Sequence, residues 1–353
     1  MNARIARLRA EADSLGAPAF LVTRPVNVRY LTGFESSNAA LVVGRDRVVL
    51  ATDGRYVEAA RAVAEVEVVQ AERDLLWWLG TRLGELAGAP VAFEADHVTV
   101  AGFDSLSGED VELVPTTGAV ARLRAVKDEP ELAAIRRAAR VTDAAYERLA
   151  GEQLVGRTEA DVAWWLEQVF HEEGADALAF PVIVAAGPNA ALPHHHPGDR
   201  KIGVGETVIV DSGAEVDGYC SDCTRTFATG PLPDTLRRAY ALCHSAQESA
   251  RVAVRAGTAA SEVDAIARTR IEESGLAPVL HGLGHGVGLE VHELPVLRRE
   301  STDTLVAGNV VTVEPGVYLP GEGGVRIEDL VVVGADGPEV LSTFTRDLLT
   351  LPN

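Results

Sequence analysis

GETVIVDSG (residues 205–213) and GNVVTVEPG (308–316) are one pattern written twice. Each begins at a glycine, runs through alternating β-branched residues, carries a carboxylate at its seventh position and ends at a glycine. Those carboxylates are Asp211 and Glu314. A further strand follows each copy and bears a second carboxylate, Asp222 after the first and Glu328, in GGVRIED, after the second. The repeat predicts two related halves that each deliver two carboxylates to a common interface. Asp211 and Glu314 both end apolar strands, where an unpaired charge is costly to bury, so they need a partner. The turn VDGY (216–219) reads as a two-residue hairpin at Asp217-Gly218. Counting outward sets Gly213 opposite Asp222, with Asp211 and Asp222 diagonal on one face at roughly 7–8 Å. Two carboxylates at that spacing repel unless a cation lies between them. Glu314 and Glu328 can converge likewise across the turn GEGG (321–324).

HGLGHGVGLEVHE (281–293) brings histidines to the same chemistry. His281 and His285 stand four apart, as on a zinc-binding helix, but Gly282, Gly284, Gly286 and Gly288 each cost about 1 kcal/mol in a helix interior. The segment is therefore expected to be an irregular loop whose backbone approaches something closely. It lacks the spacing of a phosphate cradle. Four carboxylates and the imidazole of His285 form a mainly oxygen site that suits hard or borderline divalent ions. So much negative charge on so few ligands favours two ions, which at ~3.5–4 Å apart would activate water and polarise a carbonyl. His281 and His292 would then stand near the substrate. The run HHH (194–196) has a plainer reading as a loop with chance metal affinity.

The chain has 353 residues, enough for two domains, and 47% of them are hydrophobic. Lys plus Arg number 32 against 52 Asp plus Glu, a formal charge of −20, which disfavours nucleic acid as a partner. The charged start MNARIARLRAEADSLG reads as an amphipathic helix rather than a signal peptide. No apolar run approaches the ~20 residues of a membrane span. With three cysteines, a soluble, cytoplasmic protein is expected. Cys220 and Cys223 form a CxxC, yet their odd spacing in an extended strand points them to opposite faces. The first ~120 residues alternate strands (APAFLVT, AALVVG, RVVLATD) with helices (YVEAARAVAE, DLLWWLGTRLGELAG), giving an α/β domain with a partly parallel sheet. The pattern breaks between Gly118 and Asp128, and a long helix with Pro130 in its first turn opens a second domain. The boundaries read are 1–122 and 123–353.

VIVDSGAEVDGYCSDCTRTF, HGLGHGVGLEVHE, VTVEPGVY and GGVRIED resemble the signature segments of pita-bread metallopeptidases, in the branch of prolidases and Xaa-Pro aminopeptidases. NVRYLTGF (27–34) and ATDGRY (51–56) resemble the creatinase-like N-terminal domains of that branch. The resemblance covers nearly the whole chain. It implies an α/β (α+β) protein: a creatinase-like N-terminal α/β domain before a C-terminal pita-bread domain with a pseudo-twofold repeat. By position, Asp211 would bind one metal, Asp222 and Glu328 would bridge, and His285 with Glu314 would complete the second. Manganese is the first expectation, with zinc or cobalt as alternatives. His194, after NAALP, would contact substrate, and His292 would stabilise the tetrahedral intermediate. Arg326 and Tyr318 would support the ligands, and Glu314 would also shuttle protons. The activity implied is that of a Xaa-Pro dipeptidase, or alternatively a Xaa-Pro aminopeptidase on longer peptides, with proline-containing di- or oligopeptides as substrates and a homodimer as the assembly. The front domain argues against a methionine aminopeptidase, and the intact ligand set against a metal-free amidinohydrolase or a silent binding module. One departure stands out. Many relatives place an arginine after the H-E-x-P run, whereas Pro295 here is followed by Val296 and Leu297 before Arg298 and Arg299.

Overall fold

A computed structural model describes residues 3–88, 90–107 and 111–352. The chain divides into two compact units, Met1–Arg124 and Ala125–Asn353.

The first unit is built on a six-stranded sheet in the order Glu67–Gln70, Val48–Thr52, Ala39–Val43, Ala19–Val22, Val91–Glu94, Leu113–Thr116. Three of its pairings are parallel and two antiparallel, the mixed sheet that the alternating strand and helix signals predict. The N-terminal helix Ala3–Ser14 buries Ile5, Leu8 and Ala12. Two helices are shorter than their periodicity suggests. YVEAARAVAE yields only Val57–Ala60, and the chain then runs through turns, with Glu65 at φ 61°, into the strand at Glu67. DLLWWLGTRLGELAG splits into Leu75–Gly80 and Leu83–Ala87. Gly80 lies so close to the chain that a side-chain carbon there would sit 2.0 Å from the Ser105 carbonyl oxygen, a contact that periodicity cannot register. The stretch read as a break, Gly118 to Asp128, contains a helix, Ala119–Ala125.

In the second unit, Glu129–Ala150 begins with Asp128 and Glu131 capping each other's backbone and with Pro130 in the first turn. That helix and Glu159–Glu172 cover the sheet Ile183–Ala186, Thr207–Ser212, Cys223–Ala228, with Tyr146, Phe170, Val208, Val210 and Phe227 sharing one core. Helices Asp234–Ala253 and Ala260–Glu273 cover the other half, where Tyr240, Val263, Val311, Val313 and Val331 share a second core. Each half is thus a helix pair on an antiparallel hairpin, as the doubled motif predicts. The halves meet where Glu328 N donates to Thr224 O at 3.1 Å and Arg326 N donates to Thr226 Oγ1 at 3.1 Å. No helix among the described residues is long and apolar enough to cross a membrane.

Candidate metal centre

In the first half, Val216 pairs with Tyr219, and the turn residues Asp217 and Gly218 both have positive φ, 52° and 79°. That is the turn geometry an Asp-Gly hairpin favours. Thr224 pairs with Asp211 and Cys223 with Ser212, so the expected register holds and Asp222 falls opposite Gly213. In the second half, the pairs Gly316–Arg326 and Val313–Asp329 set Glu314 directly across from Glu328. The two halves are therefore offset: the residue facing Asp211 is Thr224, not a carboxylate. Thr224 instead donates through Oγ1 to Glu328 Oε2 at 2.7 Å, linking the halves.

His285 lies in the strand Gly284–Gly286 of a five-stranded sheet, so the glycine segment is not irregular throughout. The close approach expected of it is present. A side-chain carbon on Gly284 would sit 2.1 Å from Thr312 O, so only glycine lets this strand lie against its neighbour. His285 N also donates to Thr312 Oγ1 at 3.0 Å, and Thr312 Oγ1 donates to Glu314 Oε1 at 3.2 Å.

Ligand atoms of Asp222, His285 and Glu328 lie within 4.8 Å of one another. His285 Nε2 is 3.2 Å from Glu314 Oε1 and 3.6 Å from Asp222 Oδ2. Asp211 Oδ1 and Glu328 Oε1 are buried with no hydrogen-bond partner among the described residues. Burial, followed by the charge of Glu328, pushes the Asp222 carboxyl well above the ordinary range, and burial followed by Glu314 does the same to Glu328. Burial also raises Asp211 in spite of Arg326. Burial alone would raise Glu314 too, but the hydrogen bond and charge of His285 outweigh it and hold it at about 2. The site is thus short of positive charge, and its two orphaned oxygens are what a cation would satisfy. His285 Nδ1 is 3.1 Å from the Gly286 carbonyl oxygen, which assigns a proton to Nδ1 and turns Nε2 toward the carboxylates, where a cation would take the place of the proton it shares with Glu314. Divalent ions therefore fit these residues.

Arg326 is 3% exposed and fully engaged. It donates to Asp211 Oδ2 at 2.5 Å, Thr224 Oγ1 at 3.1 Å, Pro193 O at 3.1 Å and Tyr318 Oη at 3.1 Å. Tyr318 Oη is in turn 2.9 Å from His281 Nε2, and His281 Nδ1 is 2.7 Å from Gly282 O. Both nitrogens of His281 are thereby occupied within the protein, so its ring supports Tyr318. His292 is exposed, its ring centroid 4.3 Å from that of His285. His194 is exposed and close enough for a positive charge on it to disfavour one on His281 or His292. Burial is the larger reason that the pKa of His281 is lowered, and for His292 the partial desolvation of a ring packed against His285 acts in the same direction. Glu293, beside His292, is anchored by the buried Lys127 at 3.1 Å. The ten residues singled out in the sequence, Asp211, Asp222, His285, Glu314, Glu328, His281, His292, Tyr318, Arg326 and His194, converge on one region of this unit.

Thr224 and Thr312 were not singled out, although strand alternation puts Thr312 on the face of Glu314, two residues on. Glu159, whose buried carboxylate accepts from Ala186, Asn189, His195 and Gly198, carries no sequence signal. Val296 pairs directly with His285 and so shares its face of the sheet. Arg298 and Arg299 are exposed, and Arg299 pairs with Glu272 at 3.1 Å. Cys220 and Cys223 are free and buried in different cores, as their spacing predicts.

Residues 133–335 match the model of metallopeptidase family M24, and residues 4–126 match the creatinase/prolidase N-terminal domain. The chain is 35% identical over 352 residues to the uncharacterized peptidase YqhT of Bacillus subtilis (strain 168), covering 99% of this chain and 100% of that one. Among solved structures, a Xaa-Pro dipeptidase from Bacillus anthracis superposes with TM-score 0.94 at 36% identity, covering 99% of each chain. An X-Pro aminopeptidase from Thermotoga maritima MSB8 superposes with TM-score 0.90 at 32% identity, covering 98% of this chain and 99% of that one. With its carboxylate and histidine cluster carried on the doubled hairpin, this chain belongs to metallopeptidase family M24 and bears the family's creatinase/prolidase N-terminal domain.

Proposed function

We propose that the protein is a dinuclear metallo-exopeptidase that hydrolyses the Xaa-Pro bond, a Xaa-Pro dipeptidase in the first instance. The observation that carries this reading is the pairing of two buried carboxylate oxygens, on Asp211 and Glu328, that meet no hydrogen-bond partner among the described residues, with the Nε2 of His285 aimed at Glu314 and Asp222 in the same cluster. Asp211 would hold one ion, His285 with Glu314 the other, and Asp222 and Glu328 would bridge them. Manganese is the first candidate, ahead of zinc or cobalt, since oxygen predominates among the ligands. Divalent ions in such a site supply Lewis acidity toward a carbonyl and activate water at neutral pH.

The remaining steps fall to the protein's own side chains. Glu314, whose Oε1 lies 3.2 Å from His285 Nε2, would accept a proton and pass it to the leaving amine. His292 would donate to the oxyanion that develops on the scissile carbonyl. His194 would meet the substrate, while Arg326, Tyr318 and His281 keep Asp211 aimed inward. The substrates would be proline-containing di- or oligopeptides, and the setting a cytoplasmic homodimer.

A second reading, a Xaa-Pro aminopeptidase, is favoured by one observation: the residue paired with His285 is the uncharged Val296. A dipeptide's own carboxylate would find no cation at that position. The test is hydrolysis of Xaa-Pro and Xaa-Pro-Yaa by protein stripped with chelator and reloaded with manganese, zinc or cobalt. Metal-dependent release of proline from Xaa-Pro supports the dipeptidase. Preference for the tripeptide shifts the assignment to the aminopeptidase, and activity that survives complete metal removal overturns both.

A further inference from the structure

Glu159 opens the helix Glu159–Glu172 yet is 0% exposed, and both its carboxylate oxygens point into the segment that follows the strand Ile183–Ala186. Oε1 accepts from Ala186 N at 2.9 Å and from Asn189 Nδ2 at 3.0 Å. Oε2 accepts from Asn189 Nδ2 at 3.1 Å, from His195 Nε2 at 2.7 Å and from Gly198 N at 3.4 Å. Backbone bonds close the same ring: Glu159 N donates to Arg200 O and Ala160 N to Gly198 O, each at 3.1 Å. One buried carboxylate thus gathers four groups spread over residues 186 to 198. Donors surround both oxygens, so the proton shared with His195 resides on Nε2.

The middle member of the HHH run is thereby turned inward, and its neighbours His194 and His196 are exposed. Just before His194, the Pro193 carbonyl accepts from Arg326, which also holds Asp211. The loop is pinned at two points, by Glu159 on the side of the helix and by Arg326 on the side of the carboxylates. His194 sits between them. We propose that Glu159, acting through His195 and Asn189, is a positioning residue that fixes the loop presenting His194 to the substrate. This rests on the reading that His194 meets the substrate. A histidine held by its own loop alone would sample many placements, and a displacement of about 1 Å at such a group can cost up to roughly 10²-fold in rate.

The test is a double-mutant cycle in the metal-loaded, full-length protein. Glu159→Gln keeps the shape but replaces one acceptor oxygen with an amide, and His194→Ala removes the group being positioned. Glu159→Gln alone should leave metal content unchanged and lower kcat/KM for Xaa-Pro by roughly 10- to 100-fold. In the His194→Ala background the same change should cost little, because what it positions is already gone. Glu159→Asp, which keeps the charge but retracts it, should fall between wild type and Glu159→Gln. Equal losses from Glu159→Gln in both backgrounds would overturn the proposal and leave Glu159 a general stabiliser of the fold. If Glu159→Gln fails to fold, the cycle is run with His195→Phe, which removes the same inward bond, and additivity there counts against the proposal equally. No loss from His194→Ala by itself would instead defeat the assignment of His194 to the substrate, an outcome separate from additivity.

Discussion

Arg326 Nη2 lies 2.5 Å from Asp211 Oδ2, while Asp211 Oδ1, also buried, meets no hydrogen-bond partner among the described residues. One oxygen of the carboxylate is therefore oriented by the protein, and the other is left for the cation that the proposed function places there. A group that orients a metal ligand commonly contributes 10- to 100-fold in metal affinity or activity. Arg326→Met should reduce metal affinity by about that range, read by calorimetric titration of stripped protein. Arg326→Lys should be intermediate, because an ammonium keeps the charge without the planar fork that reaches Asp211, Thr224 and Pro193 together. Unchanged affinity in both variants would show that Asp211 is held without the arginine.

Asp222→Asn removes a charge that burial and Glu328 already disfavour. The metal-free variant should be as stable as metal-free wild type or more so, since the remaining carboxylates repel less. Its activity should be lost. Full activity at limiting metal would defeat the assignment of Asp222 as a bridge.

Chelation should destabilise the second unit, because Asp222 and Glu328 are then left buried without a cation. At free metal 1,000 times Kd, binding contributes about 4 kcal/mol, which for a domain of this size corresponds to a rise of roughly 10 °C in Tm. Calorimetry with and without metal measures it. A Tm indifferent to metal would mean that the cluster holds no ion.

Cys220 packs with Leu132, Ile135 and Val287, whereas Cys223 packs with Tyr146 and Phe227. Burial pushes the Cys220 thiol up to about 12 and raises Cys223 as well. Neither thiolate is available as a ligand or nucleophile near neutral pH. Cys220→Ala and Cys223→Ala should each leave kcat/KM within a few-fold, with stability losses of about 1 kcal/mol, and folded protein should resist thiol reagents. Loss of metal from either variant would reverse this reading.

Much of the centre is legible in the sequence because it is built from strands and a tight turn, whose geometry follows from counting. Asp217-Gly218 fixes the register of the first hairpin, and from it the placement of Asp211 and Asp222. The offset between the halves is not legible, since the second hairpin closes across a longer turn and pairs Glu314 with Glu328 directly. Long-range contacts are equally hidden. The grip of Glu159 on residues 186 to 198 and the Gly80–Ser105 contact depend on which segments meet in space, and no local period encodes that.

Substrate length turns on how the protein treats the carboxylate of the product proline. A dipeptidase needs a cation there, and Arg298 and Arg299 are the arginines nearest in sequence to His292. Arg299 is paired with Glu272, both side chains on the surface, so Arg299→Ala should leave kcat/KM for Xaa-Pro within about two-fold. Arg298 begins beside the loop that carries His281, for a side-chain carbon on Gly282 would lie 3.1 Å from Arg298 Cβ. If its guanidinium meets the substrate carboxylate, the charge-assisted bond is worth roughly 1.5–3 kcal/mol, and Arg298→Ala should lower kcat/KM for Xaa-Pro by about 10- to 100-fold. Xaa-Pro-Yaa, whose carboxylate lies one residue further out, should be affected less. The measurement is kcat/KM on matched di- and tripeptides for both variants. Equal treatment of the two lengths by both variants would remove the arginines from the question and leave the uncharged Val296, paired with His285, as the residue next to the proposed metal site. Wild-type cleavage of the tripeptide faster than the dipeptide would then follow from an uncharged position that gains nothing from a nearby carboxylate, and the aminopeptidase reading would be the better one.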